Sequence, residues 1–191
     1  MYKIIRENEF ISTQWSGGTT NQLFIIPSNA SISKQDFSIR ISTATINTPT
    51  SEFTKFPLHN RFISILKGEI EFTTGNKPSK KVAETEFDFF DGAETTTSTS
   101  NSKVIDFNII YSKYLRLNIQ QYTGRKNRML NLITTIENFV FILKGSINFT
   151  QIEFHENELL ILEKNNQFIE MELSNDAVLF LFNFSNIETS N

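Results

Sequence analysis

The residues best suited to chemistry in this chain are two arginines set among small and polar neighbours. In Phe37-Ser38-Ile39-Arg40-Ile41-Ser42-Thr43-Ala44, the two-residue period of a strand puts Phe37, Ile39 and Ile41 on one face. Ser38, Arg40, Ser42 and Ala44 fall on the other. One guanidinium amid small side chains leaves space beside a planar fork of donors, which suits two-pronged capture of a carboxylate. Internal pairing of Arg40 with Asp106 or a glutamate is the competing arrangement. Arg61 is expected to face a ligand, with Ser64 leaving room in the same strand. Because alternation separates Arg61 from Ser64, they share a pocket only if the strand begins after Arg61. Asp106 and Asn108 share a strand face and can orient an arginine. Trp15 is expected as a packing residue or pocket lid, and Thr20 and Gln22 complete the candidate set.

Other chemistries lack their residues. There is no cysteine, so disulfides and thiolate metal sites are excluded. Only two histidines occur, His59 and His155. They lie in separate halves, and neither has a histidine two residues away, so a bound metal is not expected. His59, in Phe56-Pro57-Leu58-His59-Asn60, is expected at a surface turn, and His155 is expected to be exposed. A Ser-His-Asp hydrolase is equally unsupported. Gly17-Gly18 lacks the lysine of a phosphate-binding loop and precedes a strand, so it reads as a tight turn. Glu84, Glu86, Asp88 and Asp91 read as a solvated strand edge.

The elements that position these residues repeat. Phe62 to Thr73 reads F-I-S-I-L-K-G-E-I-E-F-T, and Phe139 to Thr150 reads F-V-F-I-L-K-G-S-I-N-F-T. Eight of the twelve positions are identical, and each copy is an apolar run, a Lys-Gly turn and an alternating strand. Short strands are expected throughout, with Gly92 to Lys103 as loop plus edge strand and Ser112 to Asn127 as the polar crossover between halves. The expected fold is all-β: two tandem cupin-like barrels, residues 1–111 and 112–191.

Comparing the copies sorts their faces. Ile70 and Phe72 match Ile147 and Phe149, so that face is core. Glu69 and Glu71 become Ser146 and Asn148, so that face is solvent and not a paired-carboxylate site. Arg61 is replaced by Asn138, and Ser64 by Phe141. The expectation is a ligand cavity in the first module and a filled second barrel.

The net charge of −3 gives no electrostatic reason to attract nucleic acid or an anionic membrane surface. The charged start and the lack of a long apolar run suggest a soluble, cytoplasmic protein.

Four segments together resemble the HutD/Ves family. They are Trp15 to Leu23, Phe37 to Ala44, Phe53-Thr54-Lys55-Phe56-Pro57 with Arg61 and Leu66-Lys67-Gly68, and Asp106-Phe107-Asn108. The likeness spans roughly residues 1 to 185. Leu58 stands where glycine is usual after Phe-Pro, and Ile39 where an aromatic is common. The resemblance implies a bicupin with a small-molecule-binding or regulatory role linked to histidine utilisation. A formylated or formimino derivative of glutamate is the ligand it suggests. The leading expectation is a non-catalytic, cofactor-free protein that binds a small anionic metabolite. A metal-independent enzyme acting on such a metabolite and a structural or stress-related interaction protein are the alternatives. A homodimer is one assembly open to it.

Overall fold

The computed structural model describes residues 1–126 and 128–187. The chain opens with β1 (Tyr2–Ile5) and a 3-10 turn over Glu7–Glu9. Next come β2 (Ile11–Trp15), β3 (Gly18–Ile26), β4 (Ile39–Ile46), β5 (Thr50–Glu52) and β6 (His59–Lys67). β7 (Glu69–Thr74), β8 (Lys80–Ala83), β9 (Phe87–Asp91), β10 (Thr96–Thr99) and β11 (Val104–Ser112) follow. The second half holds β12 (Leu115–Thr123), β13 (Met129–Ile133), β14 (Asn138–Lys144) and β15 (Ser146–Phe149). It ends with β16 (Ile152–His155), β17 (Leu159–Leu162), β18 (Phe168–Leu173) and β19 (Val178–Asn186).

These strands form two compact units. One is Phe10–Lys113; the other joins Met1–Glu9 to Tyr114 onward. The first nine residues sit in the second unit because β1 pairs antiparallel with β17, Tyr2 opposite Leu162 and Ile5 opposite Leu159. The repeat alone gave no reason to expect this, since it begins only at Phe62.

In the Phe10–Lys113 unit a six-stranded sheet runs β2-β3-β4-β11-β6-β9 and a four-stranded sheet runs β5-β10-β7-β8. Ile46, Ile63, Ile65 and Val104 from the first sheet pack with Ile70, Phe72 and Val82 from the second. The architecture is therefore two open sheets face to face, not the closed barrel expected. One free edge, β8, carries the exposed charges of Lys80 and Lys81. The other unit repeats the plan with sheets β1-β17-β14-β19-β12 and β13-β18-β15-β16 around Val140, Ile142, Ile147, Met171 and Leu179.

The Lys-Gly turns behave as their repetition suggested. Gly68 and Gly145 both lie at positive φ, 90° and 73°, the left-handed region that favours glycine. Two expectations fail. The stretch expected as a crossover holds β12, an edge strand in which half-buried Leu115, Leu117 and Ile119 alternate with exposed residues. Within 92–103, β10 is an inner strand between β5 and β7; Thr96 and Ser98 are buried although their hydroxyls disguise the strand as a loop.

Candidate functional site

Three adjacent strands of the larger sheet aim their polar side chains at one hollow. β11 pairs with β4 on one side, Asn108 opposite Ser42 and Ile110 opposite Arg40. It pairs with β6 on the other, Ile110 opposite Arg61 and Asn108 opposite Ile63. Arg40, Ser42 and Ala44 therefore lie on the same sheet face as Asp106, Asn108 and Arg61. A bulge between Ile105 and Asp106 marks where the carboxylate enters that face. The resulting cavity has a volume of about 230 Å³, the space of about eight waters. Trp15 and Thr20 border it, and Phe53 and Phe56 contribute apolar wall.

The two guanidinium groups are held differently. Arg61 is buried, with its central carbon 4.7 Å from the Phe53 ring, 5.3 Å from Phe90 and 5.8 Å from Phe56. That aromatic surround favours the cation electrostatically and fixes its plane. Nη2 donates to Asn108 Oδ1 at 3.1 Å, and Nη1 reaches the Thr54 carbonyl at 3.4 Å. Nε is buried without a partner. Arg40 donates through Nε to Gln22 Oε1 at 3.1 Å, and its terminal nitrogens hold no hydrogen bond among the described residues. Gln22 thus acts behind Arg40 and not as part of the cavity lining.

Asp106 is completely buried. Its Oδ1 accepts from Asn108 Nδ2 at 2.5 Å, while Oδ2 has no partner. The two bonds of Asn108 fix its amide, nitrogen toward Asp106 and oxygen toward Arg61. Burial raises the Asp106 carboxyl from 3.8 to about 7, against the pull of Arg61, the Asn108 bond, the Ala44 backbone N–H and Arg40. Burial likewise lowers both arginines to about 10, which leaves them cationic at neutral pH. Among the described residues no carboxylate comes within ion-pair distance of either guanidinium: the ion pairs found join other side chains. The direct Arg40–Asp106 pairing weighed from the sequence is absent.

Two expectations are corrected here. Ser64 points away from the cavity: strict alternation puts it with Phe62, and its hydroxyl donates to the Glu86 carbonyl at 2.8 Å. Its counterpart Phe141 likewise lies on the face opposite Val140 and Ile142, so it does not fill the second unit's core. His59 is buried and not at a surface turn; Nε2–H donates to the Phe37 carbonyl at 2.8 Å, and the ring lies 4.4 Å from that of Phe37. Pro57 and Leu58 suggested a turn, but the turn ends one residue before the strand begins.

The two units differ at other positions. Matching registers through the shared bulge sets Ala44 against Tyr122, Asp106 against Leu179 and Asn108 against Leu181. Leu179 belongs to the second unit's core, with Tyr122 and Leu181 packed on it. Arg40 and Arg61 correspond to Asn118 and Asn138, which are bridged by Asn183: Asn118 donates to it at 3.0 Å, and it donates to Asn138 at 3.1 Å. Sequence reasoning missed the cage of Phe53, Phe56 and Phe90 because these rings come from a loop and a neighbouring strand, outside the period of β6.

A divalent cation does not fit this lining. Two guanidinium groups dominate it, and among the described residues no group of three or more His, Asp or Glu could hold a metal. No helix among the described residues is long and apolar enough to cross a membrane.

Solved structures with cupin folds share this architecture. One is the cupin 2 conserved barrel domain protein of Leptotrichia buccalis, 12% identical over 97% of this chain and 96% of that one, TM-score 0.61. HutD from Pseudomonas fluorescens SBW25 is 17% identical over 98% of this chain and 100% of its own, TM-score 0.81. A conserved protein of unknown function from Pseudomonas aeruginosa PAO1 is also 17% identical, over 97% and 100%, TM-score 0.78. The HutD family model matches residues 7–181, and the chain belongs to the HutD family. No curated protein matches it.

Proposed function

We propose that this protein is a non-catalytic bicupin, each unit one cupin module, that binds a small carboxylate in the cavity between Arg40 and Arg61. The observation that carries this reading is two buried guanidinium groups lining one hollow without an ion-paired carboxylate. A buried charge left unpaired is costly, and an anion that enters from solvent offsets that cost. The uncommitted terminal nitrogens of Arg40 form the donor fork, and the caged Arg61 supplies fixed positive charge. The volume of about 230 Å³ suits an acid of metabolite size. Family membership favours a formylated or formimino derivative of glutamate, a regulatory role in histidine utilisation and a cytoplasmic setting.

A thermal-shift screen with formate, acetate, glutarate and N-formyl-L-glutamate tests this. A stabilising acid whose effect disappears in Arg40→Ala and in Arg61→Ala supports the reading; no stabilisation by any of them contradicts it.

A metal-independent enzyme is the second reading, favoured by the Asp106 carboxyl at about 7, in the range useful to a general base. Its complete burial, with one oxygen held by Asn108, argues against its acting on a reacting atom. Turnover of N-formyl-L-glutamate in the presence of a chelator would establish that reading instead.

A further inference from the structure

The cavity carries a second acid beside the place a bound anion would occupy. Asp106 lines the same hollow as Arg40 and Arg61, with one oxygen tied to Asn108 and the other unpartnered. A carboxylate seated between the arginines brings a second negative charge next to this one. Two carboxylates crowded into one low-dielectric site raise each other's affinity for a proton. We propose that this protein takes up its anion together with one proton from solvent, and that the proton resides on Oδ2 of Asp106. This rests on the binding reading above and names what controls it.

With Asp106 ionised, the site holds two positive charges and one negative. Protonating Oδ2 leaves both guanidinium charges for the incoming acid and turns a repelling oxygen into a neutral hydroxyl. No bond other than O–H forms, and the proton comes from water or buffer.

The groups facing Asp106 are few. Arg40 comes from β4, Arg61 from β6, and Glu52 from β5 lies exposed along the lining. With Asp106 itself they are the charged side chains of the cavity. His59 shares a strand with Arg61 but packs against Phe37 and Phe56, outside the lining. The carboxyl already sits at about 7 without ligand, so a modest further rise carries it across neutral pH.

The test titrates full-length protein with formate, acetate, glutarate and N-formyl-L-glutamate at pH 5.5, 7.0 and 8.5. The fluorescence of Trp15, the single tryptophan and a cavity residue, is the readout. Calorimetry of the tightest binder in Hepes and in Tris at pH 7.5 then counts protons. Affinity should weaken above pH 7 by up to about tenfold per pH unit, with net proton uptake in both buffers. Asp106→Asn should flatten the profile and abolish the uptake. Flat affinity without uptake in the wild type overturns the proton linkage and leaves anion binding standing. Uptake that persists in Asp106→Asn assigns the proton elsewhere and also overturns it. Binding of none of the four acids at any pH overturns both readings. If Asp106→Asn does not fold, the wild-type proton count decides alone.

Discussion

Asp106 and Leu179 hold the same register position in the two units, one carboxylate and one core leucine behind the same bulge. The second unit uses its position for packing, with Leu179 in the core and Tyr122 and Leu181 packed against that core. The first keeps Ala44 and Asn108 at those places, and the space they leave is the cavity.

Ala44→Leu should fill the hollow from its own wall, imitating what Tyr122 does in the other unit. Carboxylate binding should fall at least tenfold while the melting temperature holds or rises. Titration and thermal unfolding of one preparation check both. Unchanged affinity would mean the acid binds elsewhere.

Asp106 should make stability depend on pH with a defined sign. Its folded value is raised from 3.8 to about 7, so its contribution is fully present below about 3.8 and lost as pH rises through about 7. A shift of that size corresponds to a few kcal/mol at most. Asp106→Asn should therefore gain on the wild type between about pH 4 and pH 7 in denaturant unfolding and level off above that. A constant difference across that range would contradict the buried carboxyl.

The cage and the fork were unequally legible in the sequence. Arg40 stood out because one cation broke a strand of small residues, and the period alone assigned its face. Ser64 misled, since its small size suggested space while the same period put it on the opposite face from Arg61. His59 misled because Pro57 promised a turn, and a histidine ring wedged against Phe37 leaves no local pattern. The placement of β1 depends on pairings across more than 150 residues, which no local spacing encodes.

Removing one ring from the cage should loosen Arg61 without emptying the site. Phe53→Leu keeps apolar volume but loses the closest ring at 4.7 Å. An interaction of this kind contributes about 0.5–2 kcal/mol. Carboxylate affinity should drop a few-fold, and less than in Arg61→Ala. An equal loss in both would mean that the ring itself, and not the cation it holds, carries binding.

Gly17 should be intolerant of any side chain for the sake of Trp15. A Cβ added there would stand 2.0 Å from the indole ring. Gly17→Ala should displace that ring and shift its emission, with the core unfolding transition little changed. Emission identical to wild type would show that the ring does not rest on this glycine.

The most direct measurement is calorimetric titration of the wild type, Arg40→Ala and Arg40→Lys with N-formyl-L-glutamate and glutarate at pH 6. One anion per chain should bind the wild type, weaken at least tenfold in Arg40→Ala and recover partly in Arg40→Lys, which restores charge without the fork. Equal binding by all three folded proteins, or none by the wild type, would contradict a site built on that guanidinium.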